Sequence, residues 1–332
     1  MRSTRFRIAM AAALAIGVVA ALAPSGSAAG PLAGKNVGVI VCTAQNPFCA
    51  AWAKTLKSGL EAQGASVTVL TSVFDPSTDA QNMNRLIAQK PDMIIMAPAS
   101  ATAIIPSIVR AKAAGIKIMV ALGRLTAAGA KLVDASVLTD DKTLGTFAAQ
   151  NLVAGLKAAG QTKGNVIAIT GTATQLNVTD RMGAFKATMK KYPQYKIVAI
   201  QDANWDQATS AKDAQQLISK YASTGGIQGA YGMADNMAVG IISGAQQGGA
   251  TVGASKKGLV VTGSNCLAVG IKAIKVGQEY GTGTQAPQVE AALAVKVGTQ
   301  ILNGKKVPKV SYVQEQRITK ANVAQFTKVC TF

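Results

Sequence analysis

Apolar positions along the chain fall into short runs separated by longer stretches of helical period. Val37–Val41, Val67–Leu70, Met93–Met96 and Ile116–Ala121 read as buried strands. Between them, helices are predicted over Pro47–Leu60, from Asp75 to about Gln89, and over Ile104–Ala113, with Pro47 suited to a first helical turn. The pattern then restarts. Strands are expected at Ala135–Leu138, Val166–Thr170, Ile197–Ile200, Gly229–Tyr231 and Leu259–Thr262. The intervening helices are Lys142–Ala159, Asp180–Lys190, Asp206–Tyr221, Asn236–Gln247 and Ala268–Val276. Strand–helix alternation implies parallel sheets with right-handed crossovers and helices on both faces. Two such halves make an α/β protein of two doubly wound lobes, in which a ligand would bind beyond the carboxyl ends of the strands.

The first residues break this rhythm. Arg2, Arg5 and Arg7 precede an apolar run from Ile8 to Ala23, followed by Pro24 and the small residues Ser27-Ala28-Ala29. That order is the order of a secretory signal peptide, expected to occupy 1–29. The run has 16 residues, short of the roughly 20 that span a bilayer. The mature chain is therefore expected to be exported, periplasmic or beyond, and soluble after cleavage.

Composition narrows the chemistry further. The formal charge of +19 falls to +16 without the three leader arginines, but the lysines are scattered and no stacking aromatics lie between them. This describes a solvated basic surface and no nucleic-acid partner. The chain contains no histidine, which removes Ser-His-Asp and Cys-His catalysis and His-ligated zinc. The four cysteines, Cys42, Cys49, Cys266 and Cys330, show no Cys-x-x-Cys spacing. In an exported protein they can form disulfides, with three possible pairings. After the first strand, Thr43-Ala44-Gln45-Asn46-Pro47 lacks the glycines that admit a pyrophosphate, and no P-loop is present. No metal, no cofactor and no catalytic residue is expected.

The polar residues at the strand ends form an ordered series. Asn46-Pro47-Phe48, Gly123-Arg124, Asp180-Arg181-Met182-Gly183, Asp202-Ala203-Asn204-Trp205-Asp206, Ala234-Asp235-Asn236, Gly263-Ser264-Asn265 and Gln285 together resemble the ribose-type periplasmic sugar-binding proteins. The resemblance runs from about Lys35 to Phe326. It implies the type I periplasmic binding protein fold: two lobes joined by a three-strand hinge that closes on a sugar for delivery to a membrane ABC permease. Lobe one would comprise 30–139 and 286–311, and lobe two 140–285 and 312–332. The crossings would lie near Thr139-Asp140, Gln285-Ala286 and Ser311–Gln314. A monomer without enzymatic activity is implied; a chemoreceptor is an alternative partner.

Carried over residue by residue, Asn46, Arg124, Arg181, Asn265 and Gln285 would hydrogen-bond the ligand, and Phe48 and Trp205 would cover its C–H faces. Planar amide and guanidinium groups suit adjacent hydroxyls, and aromatic rings suit C–H surfaces. Simpler readings stand beside these. Asn46 could only cap the helix that follows, Phe48 could be core, and either arginine could serve a surface ion pair. Asp235 reads as a helix cap, Asp140 as a hinge residue, and Asp206 is placed to cap the helix after Trp205.

The departures from the family pattern concern the ligand. Gly123 and Asn265 stand where ribose-like relatives place carboxylates, Ala234 where they place an amide, and Cys49 where a second aromatic ring is expected. Two lost carboxylate acceptors would cost unmodified ribose about 3–6 kcal/mol. The arginines then need compensation, either from a nearby acid such as Asp235 with a neutral sugar or polyol, or from a sugar acid carrying its own carboxylate.

Overall fold

Val37–Val41 is fully buried because strands flank it on both edges and helices cover both of its faces. The computed structural model describes residues 30–332. In chain order, its first half contains β1 (Asn36–Val41), α1 (Pro47–Glu61), β2 (Ser66–Thr71), α2 (Pro76–Ala88), β3 (Met93–Met96), α3 (Ile105–Ala113), β4 (Lys117–Ala121), α4 (Ala127–Leu132) and β5 (Ala135–Leu138). The second half continues with α5 (Asp141–Ala158), β6 (Gly164–Thr170), α6 (Leu176–Met189), β7 (Tyr195–Asp202), α7 (Gln207–Tyr221), β8 (Gly229–Gly232), α8 (Asp235–Gln247), β9 (Val260–Thr262), α9 (Ala268–Val276) and β10 (Glu279–Gly283). The chain ends with α10 (Pro287–Leu302), β11 (Val310–Tyr312) and β12 (Arg317–Thr319). The expected signal peptide lies outside the described residues.

Two six-stranded sheets result, ordered β11-β5-β4-β3-β1-β2 and β12-β10-β9-β8-β6-β7. Every pair is parallel except β10 with β12. The fold is thus α/β, with two doubly wound lobes. The chain passes between the sheets three times, at Thr139-Asp140, at 284–286 and at 313–316. The last crossing starts two residues later than the expected Ser311, because Val310–Tyr312 still pair with Ser136–Leu138. Among the described residues no helix is long and apolar enough to cross a membrane.

Helix starts follow local chemistry. Asn46 Oδ1 accepts from the backbone N–H of Phe48 and Cys49 at 3.0 and 3.3 Å, capping α1. Asp75 caps α2 through Thr78 N–H at 2.6 Å, Asp140 caps α5, and Asp206 caps α7 through Thr209 N–H at 2.7 Å. The Asp206 cap is the one expected. Asp235 is different. Ala234 occupies the cap position of α8, and Asp235 is its first residue, fully buried. Its carboxylate accepts from Leu267 N–H at 2.7 Å and from the Thr282 hydroxyl at 2.6 Å. It therefore ties α8 to β10 instead of capping a helix.

The cysteines pair as Cys42–Cys49 and Cys266–Cys330. The first bridge closes the elbow between β1 and α1, and the second fastens the C-terminal segment to the loop after β9.

Burial of acids gives the fold a pH dependence. Burial pushes Asp235 up to about 7, and it pushes Glu279, beside Asp235, well above the usual range, the Asp235 charge adding to it. Burial likewise pushes Glu290 up to about 7. A carboxyl raised in the folded state stabilises the fold fully below its unfolded value near 4, and that contribution is lost as pH rises towards 7. The urea midpoint is expected to fall between pH 5 and pH 8, and Asp235→Asn should flatten that slope. A wild-type midpoint that rises over this interval would contradict the assignment.

Candidate functional site

The carboxyl ends of both sheets face one another across a cavity. It offers about 50 Å³ to the centres of water molecules. From the first lobe the elbow after β1 contributes Asn46, Phe48, Cys42 and Cys49, and the turn after β2 contributes Phe74. Gly123, after β4, lies on the same wall. The second lobe supplies Arg181 and Asn177 from α6, Gln175 just before it, Trp205 after β7, Asn265 after β9 and Gln285 after β10. Of the residues expected in the site, Asn46, Phe48, Cys49, Gly123, Arg181, Trp205, Asn265 and Gln285 are brought together here. Arg124 and Asp235 are not on the cavity wall.

Arg181 organises the second wall. Its side chain is buried, and its Nε donates to Asp141 Oδ1 at 2.7 Å. Nη1 donates to the Met233 carbonyl at 3.1 Å and to Asn265 Oδ1 at 2.8 Å, and Nη2 to Gln285 Oε1 at 2.6 Å. Burial raises the Asp141 carboxyl, and the guanidinium opposes that rise. The acid that compensates Arg181 is therefore Asp141, at the start of α5, and not Asp235.

Arg124 has its own partner. Its Nε donates to Asp180 Oδ2 at 2.6 Å, joining the loop after β4 to α6 across the two lobes. The structure places Arg124 in this ion pair, the alternative the sequence left open, and off the cavity wall. With Gly123 beside it instead of an acid, the guanidinium is drawn to the acid on the opposite lobe.

The aromatic walls are held from behind. Trp205 Nε1 donates to Gln175 Oε1 at 2.6 Å, its carbonyl accepts from Asn236 Nδ2 at 2.9 Å, and the Arg181 guanidinium lies 5.7 Å from its ring centre. A side chain at Gly171 would run into the indole, so only glycine leaves the ring its place. Phe74 faces Trp205 from the other lobe, with ring centroids 6.4 Å apart. Phe48 meets Phe332 edge-on at 6.1 Å. Sequence reasoning missed Phe74, although a signal existed: an aromatic residue directly before a capping aspartate occurs in both Phe74-Asp75 and Trp205-Asp206.

Glu290 was missed too. In the first turn of α10 it accepts from Leu122 N–H at 3.1 Å, from the Thr139 hydroxyl at 3.2 Å and from Gln285 Nε2 at 3.4 Å. One carboxylate thus joins β4, the first crossing and the second crossing, and through Gln285 it reaches Arg181. Further bonds join the lobes, from the Thr174 hydroxyl to the Ala99 carbonyl at 3.0 Å and from Gln175 Nε2 to the Pro98 carbonyl at 3.4 Å.

Two α/β lobes meeting at their strand ends over a small cavity rich in amides and aromatic rings define a protein that encloses a small molecule. The sequence model of the family described as "Periplasmic binding protein domain" matches residues 37–306, and the chain belongs to that family. It is a binding protein and not an enzyme. It is 25% identical over 315 residues to the xylitol-binding protein of Mycolicibacterium smegmatis, covering 95% of this chain and 86% of that one. To the ribose import binding protein RbsB of Haemophilus influenzae it is 27% identical over 300 residues, covering 89% and 94%. Among solved structures, a galactofuranose binding protein superposes with a TM-score of 0.82 at 19% identity, covering 89% of this chain and 97% of that one, which speaks for the fold.

Proposed function

We propose that this chain is an exported solute-binding protein that captures an uncharged sugar or polyol between its lobes and delivers it to an ABC permease. One observation carries the neutral ligand. Among the described residues, the cavity wall has no carboxylate, and its only cation, Arg181, already holds the carboxylate of Asp141 at 2.7 Å. A ligand bringing its own negative charge would meet an arginine whose charge is already answered, and would bear the cost of burial without a partner. Amide groups and rings remain, the chemistry that hydroxyls and C–H faces require. The xylitol-binding and ribose-binding relatives make polyols and pentoses the first candidates.

Binding would work by closure. Each lobe offers half of the wall, so a ligand that touches both favours the closed arrangement by its differential affinity for it. The three crossings, the first two tied together at Glu290, are the segments that would bend. Calorimetric titration of the mature protein with xylitol, D-ribose and D-allose, alongside the matching aldonic acids, tests the reading. Saturable binding of at least one neutral compound, with its acid much weaker, is expected. Binding confined to the acids would overturn it.

A further inference from the structure

Most polar side chains around the cavity are already engaged within the protein. The oxygen of Asn46 serves the α1 cap, that of Gln175 the Trp205 indole, and those of Asn265 and Gln285 the Arg181 guanidinium. Asn236 gives its amide to the Trp205 carbonyl. Ser72 and Asn177 differ from them, each with a buried side-chain oxygen that has no partner among the described residues, and of the two Asn177 is the carboxamide. Asn177 is only 6% exposed and lines the cavity, and its Oδ1 is buried without a hydrogen-bond partner among the described residues.

Buried side-chain amides nearly always find partners in the fold. A helix-end role does not explain the exception. Asn177 is the second residue of α6, and the cap position belongs to Gln175, whose side chain makes no capping bond. Residues four apart share one face of a helix, so Asn177 stands one turn before Arg181 on the wall that the guanidinium organises. A carboxamide presents an acceptor and a donor in one plane, spaced for two neighbouring hydroxyls.

Building on the neutral-ligand reading above, we propose that Asn177 pairs with adjacent ligand hydroxyls and takes the acceptor role vacated by carboxylates at Gly123 and Asn265. It thereby sets specificity for vicinal diols, and it does so without charge. Because the Asn177 side chain makes no hydrogen bond among the described residues, its removal separates binding from folding.

The test compares wild type with Asn177→Ala and Asn177→Leu, by calorimetry with xylitol, D-ribose and D-allose and by thermal melting without ligand. Affinity for the best of the three is expected to fall about tenfold to a hundredfold in both variants. The unliganded melting temperature should stay unchanged or rise, since an unpartnered buried polar group is being removed. Unchanged affinity in the variants would overturn the assignment while leaving the neutral-ligand reading intact. So would a fall in affinity matched by a loss of unliganded stability, which marks a structural role. Failure of the wild type to bind any of the three would defeat the functional reading, and this inference with it.

Discussion

Replacing Arg181 by alanine is expected to abolish ligand binding and also to weaken the unliganded fold. The guanidinium is buried and serves Asp141, Asn265, Gln285 and the Met233 carbonyl together. Removing it leaves the Asp141 carboxylate uncompensated, a loss of about 3–5 kcal/mol for a broken buried pair. Asn265 and Gln285 would lose their common anchor, so the second wall would no longer be preorganised and affinity should fall at least about a hundredfold. Urea unfolding together with calorimetry reads both effects. The double variant Arg181→Met with Asp141→Asn should recover much of the stability, since both charges leave together, but none of the binding. A single alanine variant that unfolds and binds like wild type would refute the central role of this arginine.

The second large effect concerns Cys266 and Cys330. Their bridge spans 64 residues of sequence, and closing a loop of that length stabilises the folded chain by about 4 kcal/mol on the chain-entropy model. The shorter Cys42–Cys49 bridge, separated by 7 residues, is worth roughly 2–3 kcal/mol on the same model. The double serine variant at Cys266 and Cys330 should therefore show the larger drop in urea midpoint, and the pair at Cys42 and Cys49 the smaller. The 266–330 variant should also bind more weakly. Cys266 follows Asn265, and both have left-handed backbone, with φ of 51° and 90°. Freeing the bridge releases the turn that presents the Arg181 partner. Equal midpoints for the 266–330 variant and wild type would show that apolar packing of Ile318, Val323 and Phe326 holds the C-terminal segment unaided.

The strand–helix order was legible because buried parallel strands leave unbroken apolar runs, as at Val37–Val41 and Met93–Met96. The end of the alternation was less so. Glu279–Gly283 carries two glycines and a threonine where a strand usually shows branched apolar residues, and β11 and β12 have three residues each. Glu290 lies in the first turn of a helix, where an acid ordinarily faces water and complements the helix dipole. Only tertiary packing turns it inward. The start of α6 is the instructive miss. Asp180 looked like a helix-opening residue, but the helix begins at Leu176, and that earlier turn carries Asn177. The counter-charges were hidden for a related reason, since Asp141 and Asp180 meet their arginines over separations of 40 and 56 residues.

Among the described residues, left-handed backbone outside glycine gathers, apart from Lys90, at the strand ends around the cavity: Val73-Phe74, Leu122, Asn204-Trp205 and Asn265-Cys266. Two of these pairs are one turn used twice. Val73-Phe74-Asp75 and Asn204-Trp205-Asp206 each run from the second strand of a half into its helix, with matching φ angles and an aspartate cap. The two rings that confront each other across the cavity are thus jaws cast from one mould, and the gap between them is a property of the hinge rather than of either lobe. Exchanging the two tripeptides should leave both turns formed. The bite would change only by the difference between a phenyl and an indole, so ligand size could be tuned by ring choice alone.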